Sequence, residues 1–459
     1  MLEQRIRELL LACRDYARRQ GIAAEFSFHR EKSSLIRLGN SAVALSTYEE
    51  LTRLDIQVQE DRRVGAFGIL ADITSLAQLK RVLSRAQDNC RSALEKDYAP
   101  IFGAVEEAID DSSGYDPFLE SLTPDAKARL CTEVVNSLKP RGRYDFSGSW
   151  SSGSTEIYYT TTANDKEAYR RLTDSRLVLV LKDWDRKWEL QVERTAKTAG
   201  TENAADIVRE FTELLPVYEN NPGFAPSVGR QRVLFGPQAI GELVSLAVWS
   251  GFLGRWYEEK RAFTGAFRPG DRLFAETVTI ADDPTHPDVF GMPFDLTGVR
   301  RRRFTMVEHG VFSGVMYDAA TAAKYGKRRT GCDINNQDFV LETGSGPAGL
   351  EAGMKLARDA LYIPHLHYIH MPDPTQGMFT GSSRFNAMRL EKSEFTRPLF
   401  SSRITDTIPS VFNHVVAISS RSVPVNTSST YGRREPQAIS VPEYLICDGV
   451  RISDAADSF

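Results

Sequence analysis

Between residues 230 and 334 this 459-residue chain is interrupted by turn signals so often that only one long element fits. Arg232-Val233-Leu234-Phe235 reads as a short strand, stopped by Gly236-Pro237. Ala239, Ile240, Leu243, Val244, Leu246 and Ala247 then recur at helical spacing. After that helix come only short runs: Thr277-Val278-Thr279-Ile280 closed by Asp282-Asp283-Pro284, Pro293-Phe294-Asp295 closed by Gly298, Thr305-Met306-Val307-Glu308 turning at Gly310, and Thr330-Gly331. The pattern predicts a strand-rich domain with few helices, the others falling at 318–325 and 348–360.

The N-terminal part reads differently. Leu2, Ile6, Leu9, Leu10, Cys13 and Ala17 form one stripe of a helix over 2–20, and Leu76, Leu79, Val82, Leu83, Ala86 and Cys90 form another over 75–94. Between them, 25–29 and 54–58 alternate as strands covered on one face, and Gly65 and Gly68 mark a turn or a close backbone approach. Residues 95–122 read as a connector. Thr123-Pro124 caps a helix to about Leu138. Strands are expected over 144–162, 177–181 and 184–192, and a helix over 203–215. Pro216, Asn220-Asn221-Pro222-Gly223 and Pro226 read as the linker. The expected fold is α+β in two domains: an N-terminal α/β domain, 1–222, and a strand-rich C-terminal domain, 223–459.

Composition narrows the function classes. With 41% hydrophobic and 26% charged residues and a formal net charge of −4, the chain has no overall attraction to nucleic acid or anionic membrane. Its longest aliphatic run, Leu177 to Leu181, is far short of a membrane span. The first residues form a charged amphipathic helix and not a signal peptide. Cys13, Cys90, Cys131, Cys332 and Cys447 are scattered and odd in number, which predicts reduced thiols in a cytoplasmic protein.

The order Asp282-Asp283-Pro284, Phe294-Asp295-x-x-Gly298, Val307-Glu308-x-Gly310-Val311 and Thr330-Gly331 resembles the core of the TldD/PmbA (TldE) family, metallopeptidases also called modulators of DNA gyrase. The resemblance continues through Thr380-Gly381 and Pro424-Val425. It implies one of two kinds of subunit: TldD-like, with a His-Glu-x-x-x-His zinc helix, or TldE-like, without it. No histidine lies between His29 and His286, so this chain resembles the TldE-like kind. Gap-free counting from Arg261 to Gly265 places Val244, Ser245 and Trp249 at the zinc-motif positions. The chain departs from the family at Thr297, where an acidic residue is usual, which weakens any role transferred to Asp295.

Other features invite chemistry. Gly344-Ser345-Gly346-Pro347-Ala348-Gly349 matches a dinucleotide-loop pattern, but no doubly wound series of strands and helices surrounds it, and it is expected only to cap the following helix. His365, His367 and His370 could bind zinc or copper. On a strand His365 and His367 share a face while His370 points away, so a cleft-lining strand is the alternative. Arg300 to Arg303, with Lys324, Lys327, Arg328 and Arg329, could meet phosphates, against a solvated or subunit-contacting edge. No Gly-x-Ser-x-Gly elbow is present. Glu308 is expected to accept N–H groups of its turn, with general-base work as the alternative.

The resemblance implies a TldE/PmbA-like subunit without a cofactor of its own. It would be partnered with a zinc-bearing TldD-like subunit in a complex that degrades or trims unfolded peptides. A competing expectation is a metal-free homodimer that binds peptides or serves as a scaffold. A third is a metal-dependent hydrolase using His365, His367 and His370. No nucleic-acid or membrane partner is expected.

Overall fold

A computed structural model describes residues 2–141, 143–331, 337–428 and 432–459. Cys332 and Ile334, which figured in the sequence reading, lie outside them. The chain opens with α1 (Gln4–Arg19), β1 (Ala23–Gly39), β2 (Ala42–Glu60), β3 (Arg63–Leu70) and α2 (Leu76–Ser92). Next come β4 (Ile109–Gly114), α3 (Pro117–Glu120), α4 (Pro124–Leu138), β5 (Tyr144–Thr161), β6 (Glu167–Asp183), β7 (Glu189–Ala196) and α5 (Ala204–Asn220). The strands form one sheet in the order β3-β2-β1-β5-β6-β4, with β7 also on β6.

The helices begin where the local chemistry provides caps. Ser75 accepts from Gln78 N at the head of α2, and Thr123 accepts from Ala126 N ahead of Pro124 in α4. Strand lengths depart from expectation. β1 and β2 run 17 and 19 residues, against the ~5–6 usual for a strand. Both faces of β1 are covered. Phe26 and Phe28 pack with Leu10, Cys13, Leu79 and Val82 of α1 and α2, while the opposite face buries Glu25, His29 and Glu31. Beyond the alternating 25–29, Arg30-Glu31-Lys32-Ser33-Ser34 is polar on both faces, so this part of the strand shows no alternation and is hidden from a pattern search. The connector 95–122 likewise contains β4, which pairs in parallel with β6.

The second half runs β8 (Gly229–Phe235), α6 (Pro237–Gly251), α7 (Gly254–Glu258), β9 (Ile280–Asp282), β10 (Phe304–Glu308), β11 (Val311–Phe312), α8 (Ala319–Tyr325) and β12 (Phe339–Leu341). It continues with α9 (Leu350–Ala357), β13 (Ala360–Ile363), β14 (Leu366–Asp373), β15 (Met378–Ser383), β16 (Met388–Glu391), β17 (Glu394–Pro398) and β18 (Ser402–Thr407). It closes with α10 (Ile408–Asn413), β19 (Val415–Ile418), β20 (Ser422–Asn426), β21 (Ala438–Pro442) and β22 (Leu445–Ala455). One sheet is ordered β11-β10-β9-β12-β21-β20, the other β14-β15-β18-β22-β8-β13-β16-β17 with β19 on β22. α6 packs on β12, β20 and β21 of the first and on β14 of the second. Its Ile240, Leu243, Val244, Ala247 and Val248 are fully buried in the largest core of the molecule. The fold is therefore α+β, strand-rich in its second half.

The join corrects one expectation. Pro216 lies inside α5, which continues to Asn220. Phe224 N then donates to Pro398 O, and Phe400 N donates to Phe224 O. A second core crosses the join: Trp150, Leu177 and Phe211 of the first half share it with Leu234, Tyr362, Met388 and Tyr444 of the second. Residues 432–434 add a polar clamp. Arg434 pairs with Asp174 at 2.8 Å and its carbonyl receives His29 Nε2, while Arg53 donates to Gly432 O.

Candidate functional site

α6 has one face that is not core. Glu242, Ser245, Leu246 and Trp249, spaced i, i+3, i+4, i+7, are half-buried or exposed. Of these, Leu246 packs against the main core, Trp249 meets Trp256, and Glu242 lies within reach of charges from the first half of the chain. Arg176 on β6 and Glu193 on β7 form an ion pair of 2.8 Å, and their charges act on Glu242. The Glu242 side chain keeps exposed surface, yet neighbouring atoms desolvate its carboxyl in part and raise it above the usual carboxylate range, against the pull of Arg176. His365 is pushed down to about 3, first by burial and then by the same Arg176. It is therefore neutral near pH 7. A protonatable carboxyl and a neutral imidazole can exchange hydrogen bonds with a peptide backbone.

The zinc-motif positions that the resemblance implies carry no zinc donors. Val244 is fully buried, so its position points into core, and neither Ser245 nor Trp249 is a zinc donor. Glu242 is the only titratable side chain on the helix. Trp249 instead stacks edge-on with Trp256 at 4.5 Å.

Further along the same interface lies a cleft of about 530 Å³, lined by Glu189 and Lys182 from the first half and by His367, Arg384 and Phe385 from the second. His365 and His367 both approach the Phe385 ring, with centroids at 5.8 and 6.2 Å, as the shared-face reading expected. A bulge at Tyr368, with φ of 48°, separates His367 from His370, and His370 is exposed. No group of three or more His, Cys, Asp or Glu side chains among the described residues is placed to hold a metal. Burial lowers His367 too, with Arg384 adding to the shift. Of the three histidines, His367 lines the cleft.

The family-motif residues are brought together as framework. Asp282 receives both Nη2 bonds of Arg301, at 2.7 and 2.8 Å, and Asp338 receives Nη1 at 2.6 Å. Arg301 is fully buried, which overturns the expectation that the arginine run is only a solvated or contacting edge. Asp283 accepts from Thr285 and Arg303 and is held below the usual carboxylate range against the opposing effect of burial. Pro284 follows in the turn, its carbonyl against Gly291. Asp295 closes its own turn by accepting from Thr297 N, Thr297 Oγ1 and Val299 N, so Thr297 serves as a turn hydroxyl. Gly298, with φ of 84°, lies against the Ala104–Val105 backbone, where a Cβ would collide. Thr330 Oγ1 accepts from Tyr317 N at 3.0 Å, and Gly331 turns with φ of 74° beside Val299.

Two motif expectations fail. The Glu308 carboxylate accepts no turn N–H. It is exposed, and the turn amides go to Thr279 Oγ1 and Val278 O instead. His309 and Gly310 both have positive φ, 48° and 76°, as a tight two-residue hairpin requires. Thr380-Gly381 is not a turn but the middle of β15, with Thr380 Oγ1 accepting from Arg403 at 3.1 Å.

The glycine-rich loop is consumed internally. Gly344 N donates to Ser419 O, Gly346 N to Ile418 O and Gly349 N to Glu443 Oε2, leaving these amides none to offer a pyrophosphate. The loop leads into α9, as expected. β12 before it, though three residues long, is central, between β9 and β21.

Comparison with known proteins identifies this framework. Residues 228–454 match the PmbA/TldA metallopeptidase C-terminal domain. The chain belongs to the TldD/PmbA family. TldE from Thermococcus kodakarensis has the same fold, with a TM-score of 0.82 at 15% identity over 97% of this chain and 100% of that one. A protein from Thermotoga maritima described as a candidate modulator of a DNA gyrase superposes with a TM-score of 0.79 at 17% identity, covering 96% and 99% of the two chains. A counterpart from Bacteroides thetaiotaomicron with a similar description does so at 0.79 and 17%, covering 99% and 100%. In sequence, a metalloprotease of Archaeoglobus fulgidus is 33% identical over 121 residues, which span 26% of this chain and 27% of that relative. No described helix is long and apolar enough to cross a membrane.

Glu242, Arg176 and Glu193 were absent from the sequence reading. One signal was available for Glu242: it is the lone acid in an otherwise apolar helix. Nothing in the sequence brings Arg176 and Glu193 towards it across more than forty residues.

Proposed function

We propose that this TldD/PmbA-family chain is the metal-free, TldE-like subunit of a peptidase complex. It supplies a wall of the peptide cleft, and a zinc-bearing TldD-like partner supplies the hydrolytic centre. The observation that carries this reading is the incompletely buried stripe of α6: Glu242, Ser245, Leu246 and Trp249 contain no set of zinc donors. Peptide hydrolysis at neutral pH needs an activated nucleophile, and a zinc-bound water, its pKa lowered to about 7, is one. The polar side chains along the interface suit holding an extended chain: neutral His365, Glu242 and the Arg176–Glu193 pair can satisfy backbone groups without committing to one side chain.

The test is cleavage of an unfolded peptide by this chain alone, by the chain with a TldD-like subunit, and by that mixture with the partner's zinc histidines changed to Ala. Only the intact mixture should cleave. Cleavage by the lone chain that persists with a chelator would place a catalytic site here and overturn the reading. Cleavage that survives loss of the partner's histidines would do the same.

A further inference from the structure

The Arg300–Arg303 run borders a separate cleft of about 510 Å³. Five arginines line it, Arg300, Arg302, Arg303, Arg328 and Arg329, against one carboxylate, Glu106. The chain as a whole has a formal net charge of −4, so the concentration is local. Some of the guanidinium groups are engaged: Arg303 meets Asp283 and Glu342, and Arg329 donates to Thr297. Arg302 and Arg328 are exposed and have no ion-pair partner among the described residues. Among the described residues the Arg300 guanidinium reaches only Glu107, at 3.9 Å.

We propose that this cleft binds acidic stretches of a peptide, with Arg302 and Arg328 as the carboxylate-reading residues. The proposal rests on the peptide-handling reading above and names the class of peptide. Three observations favour carboxylate side chains over phosphate. Phosphate sites draw on converging backbone amides, yet here the N–H groups of Arg300, Arg301 and Thr330 are donated to Glu106, Pro293 O and Tyr317 O. The wall between the arginines is partly apolar, with Val299 and Phe304, which suits a peptide that mixes acidic and apolar residues. The chain's own Glu106-Glu107 already sits at the rim against Arg300; an acidic peptide segment is thus a chemistry this cleft accommodates. Guanidinium groups can engage carboxylates bidentately, so Arg in place of Lys matters at these positions.

The experiment is fluorescence anisotropy with the full chain alone and a labelled, unstructured peptide rich in Asp, Glu and Phe. A matched peptide with Asn and Gln at the acidic positions serves as comparison. The acidic peptide should bind more tightly, and the Arg302→Ala/Arg328→Ala variant should weaken it by about tenfold. Both side chains are exposed, so the variant should keep the wild-type melting temperature. Arg81→Ala/Arg85→Ala on α2 removes the same charge elsewhere and should leave binding unchanged. Equal binding of the two peptides, or an equal loss in the α2 variant, would overturn the proposal. So would tripolyphosphate binding at the cleft where the acidic peptide does not. Cleavage plays no part in this measurement, so its failure is separable from failure of the partnered-subunit reading.

Discussion

Arg301 shows how differently four adjacent arginines can be used. Arg302 is in water, whereas Arg301 lies between Asp282 and Asp338 with no exposed side-chain surface. Removing one partner of a buried ion pair leaves an uncompensated charge, at about 3–5 kcal/mol. Arg301→Met should therefore lower unfolding stability by about that amount, and Arg302→Met should change it by less than about 0.5 kcal/mol. Urea titration of both variants checks this, and similar losses would refute the assignment. His29 makes a pH prediction. Burial lowers its pKa to about 4 from the ordinary 6.5. Below 6.5 the unfolded chain binds a proton that the folded chain refuses, so stability is present above that pH and is lost as pH falls towards 4. His29→Gln should flatten the stability profile between pH 6.5 and 4 relative to wild type, by up to about 3 kcal/mol. Parallel profiles would mean that the imidazole takes its proton in the folded state. The sequence places His29 on a strand; only the fold brings Arg434 to its Nε2 at 2.9 Å.

At the scale of elements, the legible pieces were those whose burial is one-sided and apolar. α1, α2, α4 and α6 are visible as stripes because each turns hydrophobic residues to a single core. β1 and β2 were visible only in part: in β1, Glu31 and Ser34 are polar residues buried by tertiary partners that the strand itself cannot reveal, and the first half of β2 is largely exposed and carries no buried face to read. The glycines of β3 were read as a turn or a close approach, and the structure selects the second. At Gly65, a Cβ would strike the Cys90 backbone of α2. Gly65→Ala should therefore separate α2 from β3 and destabilise the protein by about 1–3 kcal/mol. Thermal unfolding is the check, and an unchanged melting temperature would show that the contact is loose. Thr380-Gly381 failed for a complementary reason: a Thr-Gly pair also suits a strand where Ile369 of β14 approaches closely, so that a Cβ at Gly381 would crowd it.

The whole molecule depends on the join. α5 ends at Asn220, and Phe224 is hydrogen-bonded to the β17–β18 connection. The exposed backbone at the join is thus Ser227–Val228, Val228 being 65% exposed. Limited proteolysis in this region should cut at 225–228, and the nicked protein should still elute as one species in gel filtration. The reason is the core shared by Trp150, Phe211, Tyr362 and Tyr444. Separation of the fragments without denaturant would contradict it. By itself the sequence determined the α+β class, the strand-rich second half, the apolar character of α6 and the absence of zinc-binding histidines from it. These follow from short-range periodicity, turn chemistry and residue identity, which need no knowledge of distant neighbours. Tertiary structure alone decided which arginine is buried, that Glu308 is free of its turn, that Glu242 faces Arg176 and Glu193, and that arginines from 300–303 and 328–329 share a cleft. Each depends on what a segment meets from far along the chain, and burial and electrostatics are properties of that meeting.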